Sequence, residues 1–192
     1  KADIGGGSLK LPEARIVADL LLLGVSESEW KQAIEQDNVL QKRSIGTAKR
    51  QSSLIKTRLE GMDEELMEIV RDEPSKIALQ ALFAAAIKHS FLLGDFIDQP
   101  LREQFRLFKT QISKGLWRQY LEACREQDPE MPIWEDSTED KLGDSVFQII
   151  AEVGFVNNTS DLKLQNVKIE PKILDYLKQR HEEYVLRCIQ IP

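Results

Sequence analysis

Along most of this chain, apolar residues recur at spacings of three and four, the period of helices with one buried side. The first run begins behind Pro12 and passes through Ala14, Ile16, Val17, Leu20, Leu21 and Leu23 to a stop at Gly24. Ser26 to Asp37 reads as a second helix, with Ser26 as cap and Glu29 completing a capping box. A third, of about four turns, runs from the cap Ser44 to a stop at Gly61 and turns Ile45, Ala48, Ser52, Ile55 and Leu59 to one buried side. From Met62 to about Gln127 the helical period continues, with breaks expected at Asp72–Ser75, at Gly94, at Gln99–Pro100 and around Ser113–Gly115. Ile77, Leu79, Leu82, Phe83, Ala86 and Ile87 mark a central buried helix, and Phe91, Leu92, Leu93, Phe96 and Ile97 continue its core. Phe105, Phe108, Trp117 and Tyr120 recur near helical spacing, which predicts core packing for all four.

The pattern changes after the proline-containing loop Asp128–Asp136. A helix capped by Ser137 or Thr138 carries Leu142, Val146, Ile149 and Ile150 to Gly154. An Asn-Asn-Thr-Ser turn and alternating apolar residues at Leu162, Leu164, Val167 and Ile169 then predict a small β-hairpin. A last helix starts at Pro171 and carries Ile173, Leu174, Leu177, Tyr184, Val185, Leu186, Cys188 and Ile189. The predicted fold class is mainly α. It is a compact multi-helix protein with a helix-turn-helix-like unit over 1–61, a helical middle section over 62–130 and a winged-helix-like unit over 131–192. The three sections can share one core.

Charge sets the third helix apart. Between Leu40 and Leu59 lie Lys42, Arg43, Lys49, Arg50, Lys56 and Arg58 with no acidic residue, inside a chain of net charge −6. The side opposite the apolar stripe gathers Gly46, Thr47, Arg50, Ser53 and Thr57, with Lys49 and Lys56 at its boundary and Leu54 as an apolar exception. Two helices joined by a short connection, the second basic and polar outside, have the sequence shape of a helix-turn-helix DNA reader. The candidate DNA-binding set is Lys42, Arg43, Ser44, Thr47, Lys49, Arg50, Ser53, Lys56 and Arg58, with Arg50 at its centre because guanidinium pairs bidentately with guanine or phosphate. A solvated basic helix in an ordinary bundle is the plain alternative. Lys163, Lys168 and Lys172 form a second candidate contact on the wing, blunted by Asp161, Glu170 and Asp175, and a purely structural hairpin is the slightly better account of them.

The remaining composition narrows the chemistry. At 192 residues, 42% hydrophobic and 30% charged, the chain is an ordinary globular one, and its acidity excludes indiscriminate nucleic-acid binding. Cys124, Cys188, His89 and His181 offer no zinc-ligand spacing, and the cysteines read as residues of a reducing compartment. No cofactor or metal is expected. Lys88 and His89 read as boundary residues rather than a catalytic pair. Asp161 with Glu170, Pro171 and Lys172 imitates a metal-dependent nuclease spacing, but the central sheet such sites use is not predicted. The GGGS at the N-terminus lacks the ending of a phosphate-binding loop. Ile16–Val25, interrupted by Asp19, is too short to span a bilayer, and Lys1–Lys10, expected to be mobile in part, lacks the apolar stretch of a signal peptide. A cytoplasmic monomer with no enzymatic activity and no membrane partner is the expectation.

DNVLQKRS followed by TAKR and IKTRL, together with AIKHSFLLGDF, PIWEDST and IIAEVGFV, resembles the BrxA family of bacterial BREX phage-exclusion systems from about Leu9 onward. The resemblance implies a small, mostly helical, non-enzymatic component of a defence system that marks host DNA by methylation and blocks phage DNA replication. Its expected partners are double-stranded DNA and other BREX proteins. An adaptor that scaffolds the defence complex without touching DNA is the competing expectation.

Overall fold

The computed structural model describes residue 4 and residues 7–191. Helix α1 (Leu11–Leu22) takes Pro12 in its first turn, where the missing N–H costs nothing, and buries Ala14, Val17 and Ala18. Helix α2 (Glu27–Lys31) starts at the predicted Ser26–Glu29 capping box and continues as a π-helical turn over Gln32–Gln36. Then come α3 (Ile45–Glu60), α4 (Glu64–Asp72) and α5 (Ser75–His89). Small residues on α1 let it lie close against α4, whose Leu66, Met67, Ile69 and Val70 are buried.

Helix α5 is the centre. Every residue from Ala81 to Ile87 is buried, and α1, α3, α4, α6 (Phe91–Phe96), α9 (Asp136–Val153), α10 (Pro171–Gln179) and α11 (Glu183–Ile189) pack around it. Its run of alanines keeps the helix thin enough for that many neighbours. The buried apolar residues from Ile4 to Ile191 consequently form one cluster. Of the stretch expected to be mobile, residues 1–3, 5 and 6 lie outside the described residues. Ile4 and Leu9 are buried, and the Leu9 N–H donates to a Glu152 carboxylate oxygen at 2.7 Å.

Two expected breaks are not breaks. Gly94 lies inside α6, where a Cβ would stand 2.5 Å from the Tyr184 hydroxyl, so that glycine serves packing. At Gln99–Pro100 the helix widens to a π turn over Ile97–Leu101 and resumes as α7 (Arg102–Arg106), a geometry that accommodates a residue with no N–H. Among the described residues no single helix is long and apolar enough to cross a membrane. Helix α5 and the helix over Phe91–Arg106 form an apolar pair bent by 110°, and α5 is covered on all sides by protein.

Phe96 meets Trp117 and Tyr120 of α8 (Gly115–Gln127) with ring centroids 5.4 and 5.5 Å apart, as core packing predicts. Phe105 is half-buried against Phe155. Phe108 departs from the expectation: it is 90% exposed with φ of 52°, because α7 has already ended and the chain reverses there.

The C-terminal section is also corrected. Among the described residues there is no strand, only isolated antiparallel bridges pairing Val156 with Leu164 and Gln111 with Lys163. Hydrogen bonds from Asn157 N–H to the Lys163 carbonyl and from Gln165 N–H to the Phe155 carbonyl make a hairpin-like turn that lies earlier than predicted. Val167 and Ile169 do not belong to it. The segment after Gln165 is instead clamped by Gln80 of α5, 1% exposed, whose amide donates to the Lys168 carbonyl at 3.1 Å and accepts from the Glu170 N–H at 2.8 Å. The last helix is two helices, α10 and α11, separated at His181 with φ of 55°.

Gly143 on α9 faces the fully buried Trp117, and a Cβ there would lie 2.6 Å from the indole Cδ1. The ring cannot swing aside, since its Nε1–H donates to the Glu139 carbonyl at 2.9 Å. Gly143→Ala is expected to destabilise the fold by about 1–3 kcal/mol, measured as a lowered urea midpoint; an unchanged midpoint would show that α8 and α9 separate freely.

Candidate nucleic-acid interface

The joint between the π turn and α3 is tied down by its own side chains. Asn38, in the left-handed region at φ of 48°, accepts from the Lys42 N–H and donates to the Lys42 carbonyl, both at 2.9 Å. Leu40 between them is buried, so the loop over 37–44 is anchored in the core at its middle. The connection is longer than the three- or four-residue turn of a compact helix-turn-helix.

Helix α3 starts where Ser44 accepts from the Thr47 N–H at 3.2 Å, while the Ser44 hydroxyl donates to Thr47 Oγ1 at 2.9 Å. This caps a first turn that holds no acidic residue, leaving its N–H groups and dipole favourable to an anion. Ala48, Ser52, Ile55 and Leu59 are buried as predicted, against α1, α5 and the π turn. Ile45 is not: it is 56% exposed, because the first turn of α3 projects past the elements that cover Ala48.

The candidate cations divide into three kinds. Arg43 and Arg50 are exposed and have no carboxylate within ion-pair distance among the described residues. Ser53 and Thr57 are exposed along the same helix, and Thr47 is half-buried at its start. Lys42, Lys49 and Lys56 are occupied by acids from inside the chain. Lys42 pairs with Glu13 of α1; burial would raise that carboxyl's pKa, but the hydrogen bond and charge of Lys42, with a backbone hydrogen bond and the charge of Lys10, together outweigh it and hold Glu13 below its ordinary value. Lys49 pairs with Glu35 at 3.0 Å, and Lys56 with Glu60 at 3.7 Å while lying 4.7 Å over the Trp30 ring. Arg58 is corrected outright. It is 3% exposed beside Ile55 and Leu59, and a guanidinium N–H reaches the Ser8 carbonyl at 3.5 Å, so it serves the core and not a ligand's phosphate.

On the second candidate surface, Lys163 and Lys168 are exposed and Lys172 pairs with Glu73 of α4 at 2.5 Å. These residues stand on the hairpin-like turn, the clamped segment and α10, none of which packs against α3 as a principal neighbour. The nuclease-like spacing also disperses. Asp161 accepts from the side-chain amides of Asn157 and Asn158, which lower its pKa, and Glu170 pairs with Lys76 at 2.6 Å. Among the described residues no group of three or more His, Cys, Asp or Glu side chains is arranged to hold a metal ion.

The Asn38 clasp, the exposure of Ile45 and the neutralisation by Glu13 and Glu35 escaped the sequence reading. Only the clasp leaves a local trace there, an asparagine in a polar joint.

A family model described as BrxA matches residues 1–181. Among known proteins, the chain is 56% identical over 191 residues to a BREX protein BrxA from Paramagnetospirillum magneticum, covering 100% of this chain and 96% of the relative. It is 27% identical to a BREX protein BrxA from Escherichia coli O9:H4 over 98% of this chain and 88% of that one. A crystal structure of an uncharacterized protein from Magnetospirillum magneticum superposes with a TM-score of 0.93 at 54% identity, covering 100% of this chain and 98% of the other.

Removing the cap tests the local geometry. Ser44→Ala is expected to cost about 1 kcal/mol of stability, read from the urea midpoint, with the loss traced by hydrogen exchange to the first turn of α3. Equal exchange in both proteins would mean that the Asn38 clasp alone orders this turn.

Proposed function

The chain belongs to the BrxA family, and we propose that it serves a BREX phage-defence system as a non-enzymatic component that binds duplex DNA through the outer face of α3. The observation that carries this reading is the pair formed by Arg50, on the small and polar outer face of a capped helix, and Arg43, in the loop just before its cap, both exposed with no carboxylate within ion-pair distance among the described residues. An exposed guanidinium in an acidic protein is a standing electrostatic opportunity for phosphate. Thr47 and Ser53 supply hydroxyls of a length suited to backbone or base-edge contact. Lys49 and Lys56 act at the edges of the face, where their partners Glu35 and Glu60 stay half-hydrated and exchange readily for phosphate. Cytoplasmic localisation follows from this partner.

The adaptor reading has its own observation. Leu20, Leu21, Val25 and Trp30 line a groove of about 400 Å³ together with Glu27, Lys56 and Glu60, with Leu23 67% exposed nearby, a site of mixed apolar and charged lining suited to a partner protein's side chain.

Duplex affinity across a salt series separates the two. The double variant Arg43→Glu, Arg50→Glu is expected to lose about tenfold or more in affinity near 0.1 M salt, and to flatten the logarithmic salt slope by roughly 1 to 2. An unchanged slope with an intact fold would leave α3 as a protein-docking surface, and co-purification of BREX proteins that survives nuclease treatment would then support the adaptor.

A further inference from the structure

Phe108 occupies a position that neither packing nor backbone preference explains. After α7, the Phe108 N–H donates to the Phe105 carbonyl and the Lys109 N–H to the Gln104 carbonyl, both at 3.0 Å. This double reversal ends many helices with a left-handed residue that is usually glycine. Here the residue is an aromatic at φ of 52°, 90% exposed. An exposed ring held in an unfavourable conformation points to use outside the fold.

Its surroundings say what that use is. Gln111 is bridged to Lys163, which puts the two side chains on one face, and Lys109, the residue after Phe108, lines the same groove as Gln111. Lys109, Gln111 and Lys163 are all exposed. Beside them runs an open groove of about 440 Å³, where Gln104, Gln111 and Gln119 stand with Lys109 and Ser113. No carboxylate lines it, in a chain of net charge −6. Asp161 lies close by: its backbone carbonyl accepts from the Gln111 amide at 2.6 Å, and its exposed carboxylate accepts from the Asn157 and Asn158 amides and feels the charge of Lys163, so Lys109 is the less opposed of the two lysines.

We propose that this surface binds single-stranded nucleic acid. The Phe108 ring stacks on an unpaired base, the glutamine amides meet base edges with both donors and acceptors, and Lys109 and Lys163 neutralise the flanking phosphates. A duplex keeps its base faces covered by their neighbours, so the ring selects an unpaired strand. The site shares no residue with α3 and stands whether or not that helix binds DNA.

The test uses the full chain and a labelled oligothymidylate of about 16 nucleotides, titrated by fluorescence anisotropy at several salt concentrations. Phe108→Gly removes the ring while suiting the left-handed backbone, so its melting temperature is expected not to fall, and its affinity is expected to drop about tenfold at unchanged duplex affinity. Lys109→Glu with Lys163→Glu is expected to flatten the salt dependence, whereas Arg43→Glu with Arg50→Glu leaves oligothymidylate binding intact. Absence of salt-dependent binding by the unaltered chain, or equal affinity of a folded Phe108→Gly variant, overturns the proposal. Equal losses toward duplex and single strand overturn it as well. Loss of a bound BREX protein in place of oligothymidylate assigns the ring to a protein partner and overturns it too.

Discussion

A helix that is apolar around its whole circumference has to be covered on every side, and α5 imposes that requirement on the rest of this chain. Burying its residues from Ala81 to Ile87 contributes on the order of 1–3 kcal/mol for each large side chain, with no exposed face left to spare. The neighbours are therefore drawn from the whole sequence, from α1 to α11. Gln80 shows the same constraint in polar form. A buried amide left without partners would cost a few kcal/mol, and the backbone around Lys168 and Glu170 is held where it satisfies both ends. That clamp positions the start of α10.

The same packing decides what α3 presents. Its stripe of Ala48, Ser52, Ile55 and Leu59 is committed inward, which leaves Arg50 on the opposite side. Charge then sorts the rest. Exposed ion pairs contribute roughly 0–1 kcal/mol each, so Lys49–Glu35 and Lys56–Glu60 matter less for stability than for how much positive field remains. Together with the Lys42–Glu13 pair and the burial of Arg58, they reduce a six-cation segment to a surface led by two arginines. A weakly basic face on an acidic protein confines any attraction for an anionic partner to one place on the surface.

Phe108 and the α3 face illustrate opposite uses of exposure. On α3 the exposed groups are charged or small, and their exposure has no local cost. At Phe108 an apolar ring stands in water on a left-handed residue, against both hydration and backbone preference. The next residue, Lys109, lines an open groove with three glutamines, Ser113, Ile112 and Leu116, a surface of amides and apolar side chains without a carboxylate.

Periodicity by itself determined the helical class, the caps at Ser26 and Ser44, the stop at Gly154, the central place of α5 and most of the inward stripe of α3, because these depend on residues a few positions apart. Several short stretches in order were enough to point to the family. Tertiary structure alone decided the remainder. Arg58 looked like one more surface cation until the fold buried it against the Ser8 carbonyl, and Phe108 looked like one more core aromatic until α7 ended at Arg106. The partners that occupy Lys42 and Lys172, Glu13 and Glu73, lie on distant helices. The residues that hold the C-terminal hairpin-like turn include Thr110 and Ile112, far back in the chain. A local pattern records which side of an element is apolar. Which charges survive as free field depends on elements brought together through α5, and that information is non-local.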